Sequence, residues 1–129
     1  LSSAIASAGR QPVWRYYYEG DFKNARLTPH AGAYHTAEIP MIFGTYPRAN
    51  ATQTQKDLST YMQSTWAGFV KDPYAGPGWP QLGSTWNGHE LGVLGGEDAP
   101  SGESTELMIH ADLACIIMDP LLVAQRSAW

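Results

Sequence analysis

The sequence holds a single cysteine, Cys115, in 129 residues, so no disulfide can form within the chain and cysteine usage gives no redox compartment. Set in the apolar run 114–118, that thiol reads as buried and inert. Charge is scarce: 16% of the residues are charged, against about 25% in an average domain. The eight basic residues are scattered and the net charge is −4, which argues against nucleic acid or an anionic membrane as partner. Long apolar runs are missing too. The best candidate, residues 111–123, is interrupted by Asp112, Asp119 and Pro120 and falls short of the roughly 20 residues that a transmembrane helix needs. The start, Leu1-Ser2-Ser3-Ala4-Ile5, has no initiator Met and no basic stretch; it does not read as a signal peptide, and the chain reads as a processed product or a fragment. There is no internal repeat, no Cys pair and no His-Glu-x-x-His, so neither a metal site nor a cofactor is expected.

What is present is apolar and aromatic. Hydrophobic residues make up 43%, with five Trp, seven Tyr and three Phe, a globular composition with much surface to bury. Residues 12–22 are rich in β-formers. Trp14, Tyr16 and Tyr18 fall on one face and Val13 and Tyr17 on the other, which predicts a strand covered on both sides. Residues 23–36 read as loop, and residues 38–43 as a short helix or an extended segment, with Pro40 leaving both open. A helix follows: Thr52 and Gln55 offer a capping box, and Leu58, Tyr61/Met62, Thr65/Trp66 and Phe69 recur at helical spacing until Asp72-Pro73 stops them. Residues 73–88 show no periodicity. Residues 91–94 predict a short strand, and the row Leu107/Met108, Ala111, Cys115 and Met118 predicts a second helix over about 104–119.

One strong and one short strand leave unpaired edges, and such a sheet is not stable alone. About 30 residues with little structure between two helices are also unusual in a small compact domain. Residues 1–129 are therefore expected to be part of something larger.

The chemistry concentrates at one histidine. His30, His89 and His110 read as surface or structural groups. His35 lies in Gly32-Ala33-Tyr34-His35-Thr36-Ala37-Glu38-Ile39-Pro40-Met41-Ile42-Phe43-Gly44-Thr45, which resembles the histidine segment of cholinesterase-like (type B) carboxylesterases and lipases of fungal type. That family's pattern is Gly-x-x-His-x-x-Glu-Ile, two residues, then aliphatic-Phe-Gly. Val13-Trp14-Arg15-Tyr16-Tyr17-Tyr18, Trp66-Ala67-Gly68-Phe69 with Asp72-Pro73, and Trp79-Pro80 resemble the family's flanking segments in order and spacing. The resemblance spans about residues 12–125 and the last quarter or so of the family fold.

The resemblance implies the C-terminal part of an α/β-hydrolase: late strands of the central sheet, the histidine loop, an amphipathic helix and a C-terminal helix. It implies a carboxylic ester hydrolase with the triad order Ser, acid, His, in which this chain supplies His35 as general base. The N-terminal portion of the same enzyme would then be its partner, supplying nucleophile and acid, with a small ester or lipid as substrate. Glu38 would support His35 from behind. Thr36 stands where the family commonly has a small residue, a change that reads as mild. A non-catalytic cholinesterase-like adhesion or binding module is the alternative.

Gly102-Glu103-Ser104 resembles the start of the family's Gly-Glu-Ser-Ala-Gly nucleophile elbow, but the second Gly is missing and the segment follows the histidine. Ser104 or Thr105 reads instead as a helix cap. Met41, Ile42 and Phe43 read either as an apolar rim of the site or as core. Asn50-Ala51-Thr52 is an N-glycosylation sequon, which points to a secreted, extracellular protein.

Overall fold

The computed structural model describes residues 11–107, 109 and 113. The elements run β1 (Arg15–Tyr18), a 3-10 turn (Lys23–Ala25), α1 (Ile39–Ile42), α2 (Gln53–Lys71), β2 (His89–Leu94) and β3 (Glu103–Leu107). The class is α/β, with a small mixed sheet in the order β1-β2-β3. β1 runs parallel to β2, with Tyr16 opposite Gly92 and Tyr18 opposite Leu94. β3 runs antiparallel on the other side, placing Thr105 opposite Gly92 and Ser104 opposite Val93.

β3 corrects the expectation of a helix beginning at about residue 104. Ser104 and Thr105 are strand residues, not helix caps. The apolar helical row starts only at Leu107, and the polar residues before it carry no helical stripe. The second edge of β2 offers them a ladder of backbone hydrogen bonds, which outweighs weak local preference. Helical backbone is seen further on at Ile109 and Leu113, while His110, Cys115 and the rest of the expected helix lie outside the described residues. Among the described residues the sheet thus has three strands rather than two, and the central strand is paired on both edges.

β2 is buried along almost its whole length, whereas β1 is not covered on both sides as expected. Tyr16 is 40% and Tyr17 50% exposed.

α2 forms where its spacing predicts. Thr52 caps it, its Oγ1 accepting the Gln55 N–H at 3.1 Å. The capping box is only half made. The Gln55 side-chain amide is buried without a hydrogen-bond partner among the described residues instead of returning to Thr52. Leu58 and Met62 project from α2 into a core shared with Met41, Tyr46, Trp79 and Leu94, and each such buried side chain contributes about 2 kcal/mol.

The irregular stretch between α2 and β2 is held by a group that sequence periodicity does not show. Glu90 is buried, and its carboxylate accepts hydrogen bonds from the Gly83 N–H (2.6 Å), the Thr85 N–H (2.7 Å) and the Thr85 hydroxyl (2.9 Å). Burial pushes its pKa up, but these donors outweigh burial and hold it below the usual carboxylate value. Glu90→Gln presents an NH2 where one of the N–H donors needs an acceptor, and is expected to destabilise by about 2 kcal/mol at neutral pH. Because the folded-state pKa is depressed, the contribution of Glu90 is complete above the unfolded value and is lost as pH falls through the folded one. Urea midpoints measured from about pH 7 down to pH 3 should therefore fall more steeply for the wild type than for Glu90→Gln.

Candidate active site

The loop carrying His35 is tied down on both sides. Upstream, Arg26 pairs with Asp21 through two nitrogens at 2.5 and 2.7 Å and donates a third bond to the Pro29 carbonyl at 2.9 Å. Tyr34 donates its hydroxyl to the Ala25 carbonyl at 3.0 Å. Downstream, α1 closes with a Schellman arrangement: the Gly44 N–H bonds the Met41 carbonyl and the Thr45 N–H bonds the Pro40 carbonyl. Gly44 has φ 65°, a conformation that glycine adopts without steric cost, and this is a physical reason for Gly in the Phe-Gly part of the motif. Met41 is buried, and its carbonyl also accepts the buried Ser59 hydroxyl of α2 at 2.7 Å. Gln63 in turn donates to the Ser59 Oγ at 3.1 Å. Ser59 thereby couples the long helix to the histidine loop.

His35 itself is exposed. It occupies the second position of a turn over residues 34–37, closed by the Ala37 N–H to the Tyr34 carbonyl at 2.9 Å. Thr36, at the third position, has φ 74° while His35 does not have positive φ, which makes this a type II turn. Such a conformation crowds the Cβ of a β-branched residue against a carbonyl oxygen and costs about 1–2 kcal/mol. Thr36 is thus not the mild change that sequence comparison implied. The departure from a small residue was the available signal, and its meaning is conformational.

Glu38 precedes α1 and accepts the Met41 and Ile42 N–H groups through its carbonyl, each at 3.0 Å. Its carboxylate acts electrostatically on the phenols of Tyr18 and Tyr16. Burial first, then Glu38, raises the pKa of both. No hydrogen bond joins Glu38 to His35 among the described residues, and none of them gives the imidazole a serine hydroxyl or a carboxylate. The apolar triplet after Glu38 divides: Met41 is buried and Ile42 packs on the core, whereas Phe43 is 69% exposed. Ile39, one helical turn before Phe43, is 44% exposed, so an apolar surface does follow the histidine turn, with Ile39 in place of Met41 and Ile42.

The other described histidines, His30 and His89, are not gathered here. His30 is exposed in the loop, and His89 opens β2 with its Nδ1 3.5 Å from the Thr105 carbonyl. Among the described residues no cluster of His, Cys, Asp and Glu could hold a metal ion, and no helix is long and apolar enough to cross a membrane. A cleft of about 300 Å³ opens elsewhere, walled by Trp14, Tyr16, Trp66, Phe69 and Trp79. Most of its ring pairs meet edge to face, as Tyr16 and Trp66 do at 5.1 Å, while Trp66 and Trp79 are tilted. Among the described residues no acid, histidine or serine lies on its wall.

Asn50 of the sequon is exposed, with φ 58°, a conformation that Asn tolerates better than most residues. The hydroxyl of its Thr52 is the one that caps α2.

The chain is 46% identical over 67 residues to a chlorogenic acid esterase of Aspergillus niger, covering 50% of this chain and 13% of that protein. It is 40% identical over 76 residues to secreted lipase 5 of Gibberella zeae, covering 56% of this chain and 14% of that one. The chain is related to fungal carboxylesterase/lipase-type enzymes. The matched part spans only about a seventh of these carboxylesterase/lipase-type relatives' own length. No protein-family model matches the chain.

Proposed function

We propose that this chain is the histidine-bearing, C-terminal portion of a secreted carboxylic ester hydrolase with an α/β-hydrolase fold. The observation that carries the reading is the match to an esterase and a lipase, and the presentation of His35 on an anchored turn supports it. His35 acts as general base. One ring nitrogen takes the proton of a serine hydroxyl as that oxygen attacks the ester carbonyl. The other N–H is held by a carboxylate that fixes the tautomer and stabilises the imidazolium. The proton then passes from His35 to the leaving alcohol, and a water repeats the sequence to free the acid. Serine, carboxylate and the oxyanion donors come from an upstream portion of the same enzyme. An imidazole that is exposed in this chain would be enclosed once that portion is in place. The substrate is a small ester or a lipid, Glu38 supports the loop that carries His35, and Asn50 bears an N-glycan.

A fluorescent alkyl phosphonate, which esterifies activated serines, should label the complete secreted protein and leave the 129-residue chain unlabelled. In the same material an amide-cleaving glycosidase should convert Asn50 to Asp. Labelling of the isolated chain would contradict the division of the triad, and absence of labelling in the complete protein would contradict the activity.

A further inference from the structure

We propose that Ser59, on the buried face of α2, is a positioning residue for His35. The inference rests on the reading of His35 as the general base. His35 is exposed, so within this chain the backbone beneath it sets where the imidazole stands. That backbone is one stiff run. The Ala37 N–H bonds the Tyr34 carbonyl at 2.9 Å and the Ile39 N–H bonds the Thr36 carbonyl at 3.1 Å. The Glu38 carbonyl then accepts the Met41 and Ile42 N–H groups at 3.0 Å each, and the Phe43 N–H bonds the Ile39 carbonyl at 3.1 Å. These bonds overlap from the turn to the end of α1, so a shift at Met41 is carried to position 35.

The run meets its scaffold at one polar point. Among the described residues, the bond from the Ser59 hydroxyl to the Met41 carbonyl, at 2.7 Å, is the one hydrogen bond that joins α2 to residues 34–44. Both residues are 1% exposed, so bulk water cannot replace a lost partner. Gln63, one turn further along α2, donates to the Ser59 Oγ at 3.1 Å and to the Ser59 carbonyl at 3.2 Å. The hydroxyl oxygen thus accepts from Gln63 while its proton goes to Met41. The Gln63 side chain also lies against Gly44, where a Cβ would come within 3.0 Å of its Oε1. Apolar packing of Met41 and Ile42 on the core holds α1 near α2 but has little directionality. A short hydrogen bond between buried groups adds direction, and so fixes where along α2 the run is seated.

The test uses the complete enzyme and reads kcat and KM on a p-nitrophenyl ester, with the melting midpoint of each variant. Ser59→Ala removes the hydroxyl from a helix interior that favours alanine. It should lower kcat about tenfold with KM within about twofold, the signature of a misplaced catalytic group. Ser59→Cys keeps the shape of the side chain but offers only a weak donor, and should lower kcat about threefold. Leu58→Val loosens the packing of the same helix without touching the polar contact. It should lower the melting midpoint and leave kcat within about twofold. The deciding arm combines Ser59→Ala with His35→Gln. With the base gone, Ser59→Ala should slow the residual reaction by less than about twofold, because it acts through His35. A further tenfold fall in that double variant would overturn the proposal. So would wild-type kcat in Ser59→Ala or an equal loss in Leu58→Val. Wild-type kcat in Ser59→Cys would do the same, even where Ser59→Ala does not fold. Failure of the underlying reading looks different: His35→Gln by itself would then leave turnover intact.

Discussion

Replacing His35 by glutamine in the complete enzyme is expected to lower kcat by about three to six orders of magnitude while KM and folding change little. Glutamine keeps a polar side chain of similar reach but has no nitrogen that gains and loses a proton near neutral pH, so the serine is left without a base. The side chain is exposed and makes no hydrogen bond among the described residues, hence its removal leaves no buried partner unsatisfied and the loop keeps its anchors at Ala25 and Ser59. The same exchange at His30 or His89 should alter turnover by less than about tenfold, because a surface group remote from the reacting atoms contributes little to the transition state. Steady-state kinetics on a p-nitrophenyl ester, with circular dichroism of each variant, checks both statements. Full turnover in His35→Gln, or loss of turnover at His30 or His89, would remove His35 from its proposed role.

Local signals in the sequence were legible where one residue's chemistry decides the structure. Thr52 at the start of a helical apolar row placed the α2 cap, and Asp72-Pro73 ended the helix where the chain loses its hydrogen-bond pattern. The aromatic alternation around Tyr16 located β1. What escaped was set by partners distant in sequence. Ser104 and Thr105 became strand residues because β2 lies beside them. Glu90 looks in sequence like one more scattered charge, yet it organises the loop from Gly83 to Thr85. For the candidate site, positions 35, 38 and 44 were singled out by a resemblance to a family motif, and the roles of His35 and Glu38 rest on that resemblance. The left-handed backbone at Thr36 was not legible, since the sequence names a residue that disfavours it. Ser59 was hidden for a related reason: it sits beside Leu58 on the buried row of the helix, where a hydroxyl is acceptable only because the Met41 carbonyl meets it.

Gly92→Val is expected to destabilise the protein by about 3 kcal/mol, against the direction that strand propensity predicts. Gly92 lies in the middle of the central strand, where valine is ordinarily favoured and glycine is weakening. Space decides otherwise. A Cβ built on Gly92 would fall 2.5 Å from Cδ2 and 2.8 Å from Cγ and Cε2 of Trp79, so the indole lies directly against the backbone of β2. Trp79 has little room to retreat. It is 5% exposed, belongs to the core of Met41, Leu58, Met62 and Leu94, and meets the rings of Tyr16 and Trp66 at 6.4 Å each. Even one methyl group forces this packing apart, and Gly92→Ala should cost about 1–2 kcal/mol by the same mechanism. Trp79→Ala alone opens a cavity and should cost about 3–5 kcal/mol. In the double variant Gly92→Ala with Trp79→Ala, the added methyl group enters the space that the indole leaves. The two losses should therefore fall short of additivity by at least about 1 kcal/mol, a coupling that equilibrium urea unfolding of the four proteins can resolve. Simple additivity, or a gain in stability for Gly92→Val, would mean that Trp79 does not rest on Gly92.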